Sequence, residues 1–295
     1  MKILHKISFL LKKIMSWRFM DIQHIVPLAL LPVIFIWRFG FPEAMLDEIR
    51  NFSFDQFQRI NPREYVPVPV RIIDIDDSTL EKYGQWPWPR TLVSRLVESL
   101  NGYGASVIAF DAVFAEKDRT SPKFSVMSWP SSPETDKIKK IAKNLPDYDR
   151  IFADKIKGKG VVLGFSLSGE FSDDKMPLSK AFYSFKGEEQ KEYVVKFGGA
   201  TVNLPELEKN SDGNGSFSFM ESSDGVIRQV PVLFNKGNSY LPSLSAECLR
   251  VAQDAKGYMI KFSGASGEIG GKTGIVSVRT GNIEMPTDAW GRAWV

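Results

Sequence analysis

The chain opens with a lysine-bearing polar stretch and then turns apolar: residues 25–37 read IVPLALLPVIFIW, without a charge. That run is shorter than the ~20 residues a lipid hydrocarbon core requires. Met20–Gln23 and Arg38–Met45 can extend it, with Trp37 and Phe39 suited to the headgroup layer and Arg38 able to snorkel there. Pro27 and Pro32 fit badly inside a soluble helix. The residues that follow, WRFGFPEAM, offer no good small-residue cleavage site. The pattern therefore predicts a basic tail over 1–20, a transmembrane anchor over 21–41 and a body from 42 onward.

The body alternates strand and helix patterns. Residues 42–66 read as a helical connector, with Leu46, Ile49, Phe52, Phe54 and Phe57 loosely on one side. Val68–Asp74 is a β-rich run, and a helix start follows at Asp76, Asp77 or Ser78. After LEKYGQWPWPR a helix opens at Arg90, its apolar face formed by Leu92, Val93, Leu96, Val97 and Leu100. Gly102 and Gly104 end it, and Ala105–Phe110 is a second strand. Strand, helix, strand at this spacing predicts a parallel βαβ unit.

Further on, 115–147 reads as a surface excursion with a short helix over 134–144. Asp147–Lys157 is helical and Gly160–Leu167 is a third strand. Residues 168–195 read as a polar insertion, and Leu204–Leu207 as a turn of helix. Ser216–Met220 and Val226–Phe234 read as two strands of a hairpin turning at Asp224-Gly225. Leu241–Ala252 is a helix with Leu244, Cys248 and Leu249 inward. Ile275–Val278 and Ile283–Met285 are short strands, the latter continued at Ala293–Val295. The expected fold is one α/β or α+β domain over 42–295, with a central, partly parallel sheet flanked by helices. No internal repeat is visible.

Composition narrows the chemistry. Hydrophobic residues make up 43% of the 295, enough for a real core, and 21 Phe with 7 Trp argue against disorder. The formal charge is +3, yet Lys2, Lys6, Lys12, Lys13 and Arg18 lie in residues 1–20 without an acid, so the remainder carries −2. A basic body for nucleic acid is absent, and the tail's charge keeps it cytoplasmic. The one cysteine, Cys248, allows no internal disulfide. Both histidines, His5 and His24, precede the body, so no serine there has a histidine to activate it and a zinc site is not expected.

Three groups of residues are candidates for binding. Asp74, Asp76 and Asp77 follow the first predicted strand and Asp111 the second, the end of a parallel sheet where ligand crevices form. These carboxylates could hold Ca²⁺ or Mg²⁺, with Asp76 and Asp111 foremost, or a cationic ligand. More simply, Asp76 or Asp77 caps the next helix and Asp111 pairs with Arg90; no metal or cofactor is then required. Trp86, Trp88 and Arg90 form either a ligand wall or a rigid corner stiffened by Pro87 and Pro89. Asp224 and Arg228 read as turn chemistry with a local ion pair. SGEIGGKT at 266–273 lacks the first glycine of a phosphate loop and reads as a flexible connection.

IIDIDDSTLEKYGQWPWPR, a helix, then VIAFDAVFAEKD resemble the opening of the CHASE2 family. The resemblance continues through LPDYDRIFADKI, VVLGFSLS, SDGVIRQVPVLFNKGNSYLPSLSAECLR and MPTDAWGRAWV, over about residues 45–295. Its motif positions fall on Asp76, Gly84, Trp86, Pro87, Trp88, Pro89, Arg90, Asp111, Asp224, Gly225, Arg228, Pro231 and Pro242. The resemblance implies an extracytoplasmic sensory domain of a bacterial transmembrane receptor, in the cytoplasmic membrane with the body in the periplasm or outside. It implies a non-catalytic chain regulating a downstream cyclase or kinase, with a small molecule, ion or protein as signal. Alternatives are a structural or dimerisation module without ligand, or the regulatory part of a class III adenylate cyclase. A homodimer is expected, with Leu46, Ile49 and Phe57 as contact candidates, and Val295 beside a strand is read as the edge of a longer protein.

Overall fold

The computed structural model describes residues 30–35, 43–169, 172–220, 224–265 and 274–295. Contacts divide the chain into two compact units, Met1–Asp74 and Ile75–Val295. In the first unit, residues 30–35 are helical, and α1 spans Glu43–Ile60 as the connector pattern predicts. Ile49 and Phe57 are exposed on α1 and Leu46 is half-buried. Among the described residues no helix is long and apolar enough to cross a membrane. Most of the predicted anchor over 21–41 lies outside the described residues.

The predicted strand Val68–Asp74 does not form. Residues 62–74 join no strand and bend at Pro69, and Val68, Val70, Ile72 and Ile73 are exposed. A strand needs a partner for its backbone groups, and Pro67 and Pro69 remove two of the donors. The βαβ unit expected around the Arg90 helix is therefore replaced by a later one.

In the second unit, α2 (Asp77–Tyr83) and α3 (Arg90–Gly102) flank the Trp-Pro stretch. α3 buries Val93 and Val97, from the face that the periodicity marks. β1 (Ile108–Phe110) runs parallel to β2 (Val161–Ser168). Between them lie the short α4 (Pro122–Ser125), α5 (Pro133–Ala142) and α6 (Tyr148–Ile156). α5 begins with a capping box at Ser132 and Thr135, and α6 with Asp147 accepting from the backbone of Asp149 and Arg150.

β2 is the spine of this layer. Its first five residues, VVLGF, are all buried. It accepts β1, β6 (Gly213–Ser216) in parallel, and β5 (Gly199–Thr201) in antiparallel register. α7 (Pro205–Asn210) joins β5 to β6. Gly164 permits the close layer: a Cβ there would collide with the Phe110 carbonyl and the Phe217 ring. The core under this sheet gathers Trp88, Val93, Val97, Ile108, Phe114, Phe152, Ile156 and Leu163.

The 168–195 stretch is not a plain insertion. It holds β3 (Phe182–Lys186), a short 3₁₀ turn at Lys191–Tyr193 and the start of β4 (Val195–Lys196). β3 pairs in parallel with β10 (Gly257–Phe262), itself in a stretch with weak sequence signal. β11 (Ile275–Thr280) and β12 (Ile283–Pro286) complete that sheet.

The hairpin expected across Asp224-Gly225 does not close either. β6 pairs with β2, whereas β7 (Gln229–Pro231) pairs with β13 (Arg292–Trp294), which is distinct from β12. β8 (Leu233–Lys236) and β9 (Ser239–Pro242) make the hairpin that does form, with β4 beside β8. Asn238 turns it at φ 67 after Gly237 at φ 55. α8 (Leu244–Ala252) follows, and its fully inward residues are Ala246, Glu247 and Arg250 rather than Leu244, Cys248 and Leu249, which are half-buried. A buried ion pair, not leucine packing, faces the sheet there. The mixed α/β expectation thus holds, with several mixed sheets in place of one central sheet.

Candidate functional site

The Trp-Pro stretch folds into a corner between α2 and α3. Asp76 caps α2, accepting from Thr79 N at 2.9 Å and from the Ser78 hydroxyl at 3.0 Å. These hydrogen bonds, that of the Thr79 hydroxyl first, hold the Asp76 carboxyl below the usual range. Gly84 closes α2 at φ 88, and the Trp88 indole donates to its carbonyl at 2.7 Å. The Trp86–Pro87 bond is cis. Trp88 is buried and meets Tyr83 and Trp86 edge-on, both at 5.8 Å. Trp86 stays half-exposed, tilted against Phe114 at 6.4 Å.

α3 begins without a cap from its own N-cap residue, because Pro89 has no polar side chain. Asp118 supplies one from the loop after β1: its Oδ2 accepts from Arg90 N at 2.7 Å. Its Oδ1 accepts from the backbone and hydroxyl of Thr120 at 2.8 and 2.7 Å. Asp149, fully buried on α6, accepts from Asp118 N at 2.9 Å and from Arg90 Nε at 3.2 Å. Arg90 also donates to the Glu116 carbonyl at 3.1 Å, and its guanidinium carbon lies 4.5 Å from the Phe114 ring centre. Burial pushes the Asp149 carboxyl up, opposed by the Asp118 N–H and by Arg90.

Asn203 completes the frame. Its side chain accepts from Phe114 N at 2.7 Å and donates to the Gly164 carbonyl at 2.9 Å, tying the loop to β2. Between corner and loop lies a cleft of about 590 Å³, lined among others by Trp86, Trp88, Arg90, Phe114, Lys117 and Arg119. Its volume falls within the range of small-molecule pockets. Lys117 and Arg119 are exposed on its rim, with Lys117 3.4 Å from Glu206.

The structure sorts the sequence candidates. Trp86, Trp88 and Arg90 come together at the corner and line the cleft. Arg90 pairs with Asp149, not with Asp111, which is exposed. Asp74 is exposed at the end of the unpaired stretch, Asp77 is exposed at the start of α2, and no strand brings them beside Asp111. Among the described residues no group of three or more His, Cys, Asp or Glu side chains gathers as metal ligands. Asp224 and Arg228 form a bidentate pair at 3.0 and 2.7 Å, which closes the turn. That Arg228 bond holds the Asp224 carboxyl down at about 2. The SGEIGGKT stretch lies outside the described residues.

Asp118, Asp149 and Asn203 escaped the sequence reading. One signal for Asp149 was present. It stands on the inward α6 stripe with Phe152, Ala153 and Ile156, where an acid needs a buried partner. The family model for the CHASE2 domain matches residues 28–295. The chain belongs to the CHASE2 domain family. CHASE2 domains are sensory and extracytoplasmic. No curated protein and no solved structure matches this CHASE2 chain. The corner residues of the cleft are thus part of a CHASE2 domain.

Proposed function

We propose that this chain is the input domain of a bacterial membrane receptor and that the Trp-Pro cleft receives its signal. The basic tail and the apolar run ahead of the body support a cytoplasmic-membrane anchor with the body outside. The output is a cyclase or kinase beyond this chain. The chain itself is non-catalytic. Its body has no histidine, and burial pushes its single thiol, Cys248, up to about 11, where it is a poor nucleophile at neutral pH.

The observation that carries the cleft is its preorganisation. Arg90, Asp118, Asp149 and Asn203 hold its two walls through hydrogen bonds of 2.7–3.2 Å among themselves and to the backbone. A half-exposed indole and Arg119 on the rim face the cleft, beside Lys117, which pairs with Glu206. This chemistry suits a small molecule with an aromatic or apolar body and an anionic group.

The test is a thermal-shift screen of the purified domain against metabolites, with Ca²⁺ and Mg²⁺ included. A ligand for the folded state raises the melting temperature by mass action. Trp86→Ala and Arg119→Ala should each shrink that shift, measured against the unliganded melting curve of the same variant. A shift that survives both substitutions would move the signal site away from the cleft. Protease added to intact spheroplasts should degrade the body, and a protected body would overturn its placement outside.

A further inference from the structure

Arg90 holds more donors than its frame uses. Its side chain is only 6% exposed, yet it lines the cleft beside Trp86. A guanidinium carries five N–H groups. The Nε–H goes to Asp149 and one Nη2–H to the Glu116 carbonyl. The other three, two of them on Nη1, have no protein partner among the described residues. Nη1 nevertheless keeps solvent access, and the cleft is the space that Arg90 lines. Donors so deeply placed are costly unless they meet acceptors.

The neighbouring acids are not those acceptors. Asp149 spends one oxygen on Arg90 Nε and the other on Asp118 N. Asp118 spends one on Arg90 N and the other on Thr120. What the floor of the cleft presents is therefore a donor edge. Phe114 lies against the guanidinium at 4.5 Å, which leaves that edge for contact in the plane of the group. The two oxygens of a planar carboxylate match such an edge. Charge limits the ligand to one such group. Glu116, Asp118 and Asp149 stand against Arg90, Lys117 and Arg119, and Glu206 takes up Lys117. A phosphate monoester would bring a second negative charge into that balance, which disfavours it.

We infer that Arg90 is the specificity-determining residue of the cleft, and that its free Nη edge takes the carboxylate of an aromatic monocarboxylic acid whose ring lies against Trp86. The inference rests on the cleft being the signal site, and it names the group that is read and the residue that reads it. Asp149 then has a positioning role, because its bond to Nε fixes the guanidinium before a ligand arrives. Arg119, exposed on the rim, adds attraction without selecting the shape of the anion.

The full-length chain in detergent, labelled with ¹⁵N at arginine and tryptophan, tests this by NMR titration with benzoate, benzamide and phenyl phosphate. Benzoate should shift the Arg90 guanidinium and Trp86 indole signals, and bind about tenfold more tightly than the other two probes. Arg90→Lys keeps a cation beside Asp149 but has no second nitrogen, so the preference for benzoate over benzamide should fall towards none. Arg90→Met with Asp149→Leu removes both charges and should lose the preference as well, which preserves the test if the lysine variant does not fold. A preference unchanged in either folded variant overturns the inference. So does tighter binding of phenyl phosphate, or a preference lost in Arg119→Ala and kept in Arg90→Lys. If Trp86 responds to benzoate and benzamide alike while Arg90 does not move, Arg90 is not the reader and the cleft reading stands. No response at either residue to any probe removes both.

Discussion

Asp149 stands 3.2 Å from Arg90, and both side chains are sealed from solvent, at 0% and 6% exposure. The pair joins α6 to the head of α3, and Asp118 locks onto both partners. A buried charge left without its partner is far more costly than the pair itself is favourable. Asp149→Ala should therefore destabilise the domain by about 3–5 kcal/mol. The double change Arg90→Met with Asp149→Leu should cost markedly less. Urea unfolding of the native chain and the two variants measures this, and equal losses would show that the pair is not coupled.

The Asn203 side chain bridges Phe114 N and the Gly164 carbonyl. Asn203→Ala leaves both backbone groups without that partner, at a cost of about 1–3 kcal/mol. Hydrogen exchange should rise first in the 113–120 loop. Ligand-induced shifts assigned to the cleft should shrink with it, since a loosened wall must be reordered on binding.

The Asp224–Arg228 pair has a defined pH signature. Asp224 falls from 3.8 to about 2 in the folded chain, chiefly through its hydrogen bond with Arg228. A depressed acid adds stability above its unfolded value and loses it as pH falls through the folded one. The stability gap between the native chain and Asp224→Asn should stay constant from neutral pH down to about 4 and close between 3.8 and 2. Melting curves across that range check it. A gap that persists at pH 2 would contradict the pairing.

Glu208 on α7 behaves in the opposite sense. It is buried, one of its oxygens has no partner, and the other accepts from Leu178 N at 3.1 Å. Burial raises its carboxyl above the usual 4.5, against the Leu178 and Asn203 backbone hydrogen bonds. A raised acid favours the folded state while protonated, so its contribution declines as pH climbs through that raised value. Relative to Glu208→Gln, the native chain should lose stability as pH rises above the usual 4.5 and through the raised folded value. Parallel stability curves for the two chains would refute the assignment.

Gly164→Ala tests the layer spacing. The added methyl meets the Phe110 carbonyl and the Phe217 ring, in the middle of the buried β2. Backbone cannot move aside as a flexible side chain can, so a loss of about 1–3 kcal/mol is expected in urea unfolding.

Local signals determined much of this protein by themselves. Helical periodicity placed α1, α3, α5 and α6 close to their observed bounds, because one apolar stripe per helix suffices for each. The apolar run VVLGF marked the sheet's spine, and Pro-flanked tryptophans marked a rigid corner. The motif residues were enough to point to the CHASE2 family. Pairing was not legible, since a strand pattern states a face but not a partner. So Val68–Asp74 looked like the first sheet strand and stands unpaired, while β3 hid in a stretch that reads as a polar insertion, because its pairing with the distant β10 defines it. The candidate site divides in the same way. Trp86, Trp88 and Arg90 are close in sequence and could be grouped by spacing alone. Asp118, Asp149 and Asn203 come from 28, 59 and 113 residues beyond Arg90, and only the packing of α6 and β2 beneath α3 turned Arg90 inward as the centre of a closed polar frame.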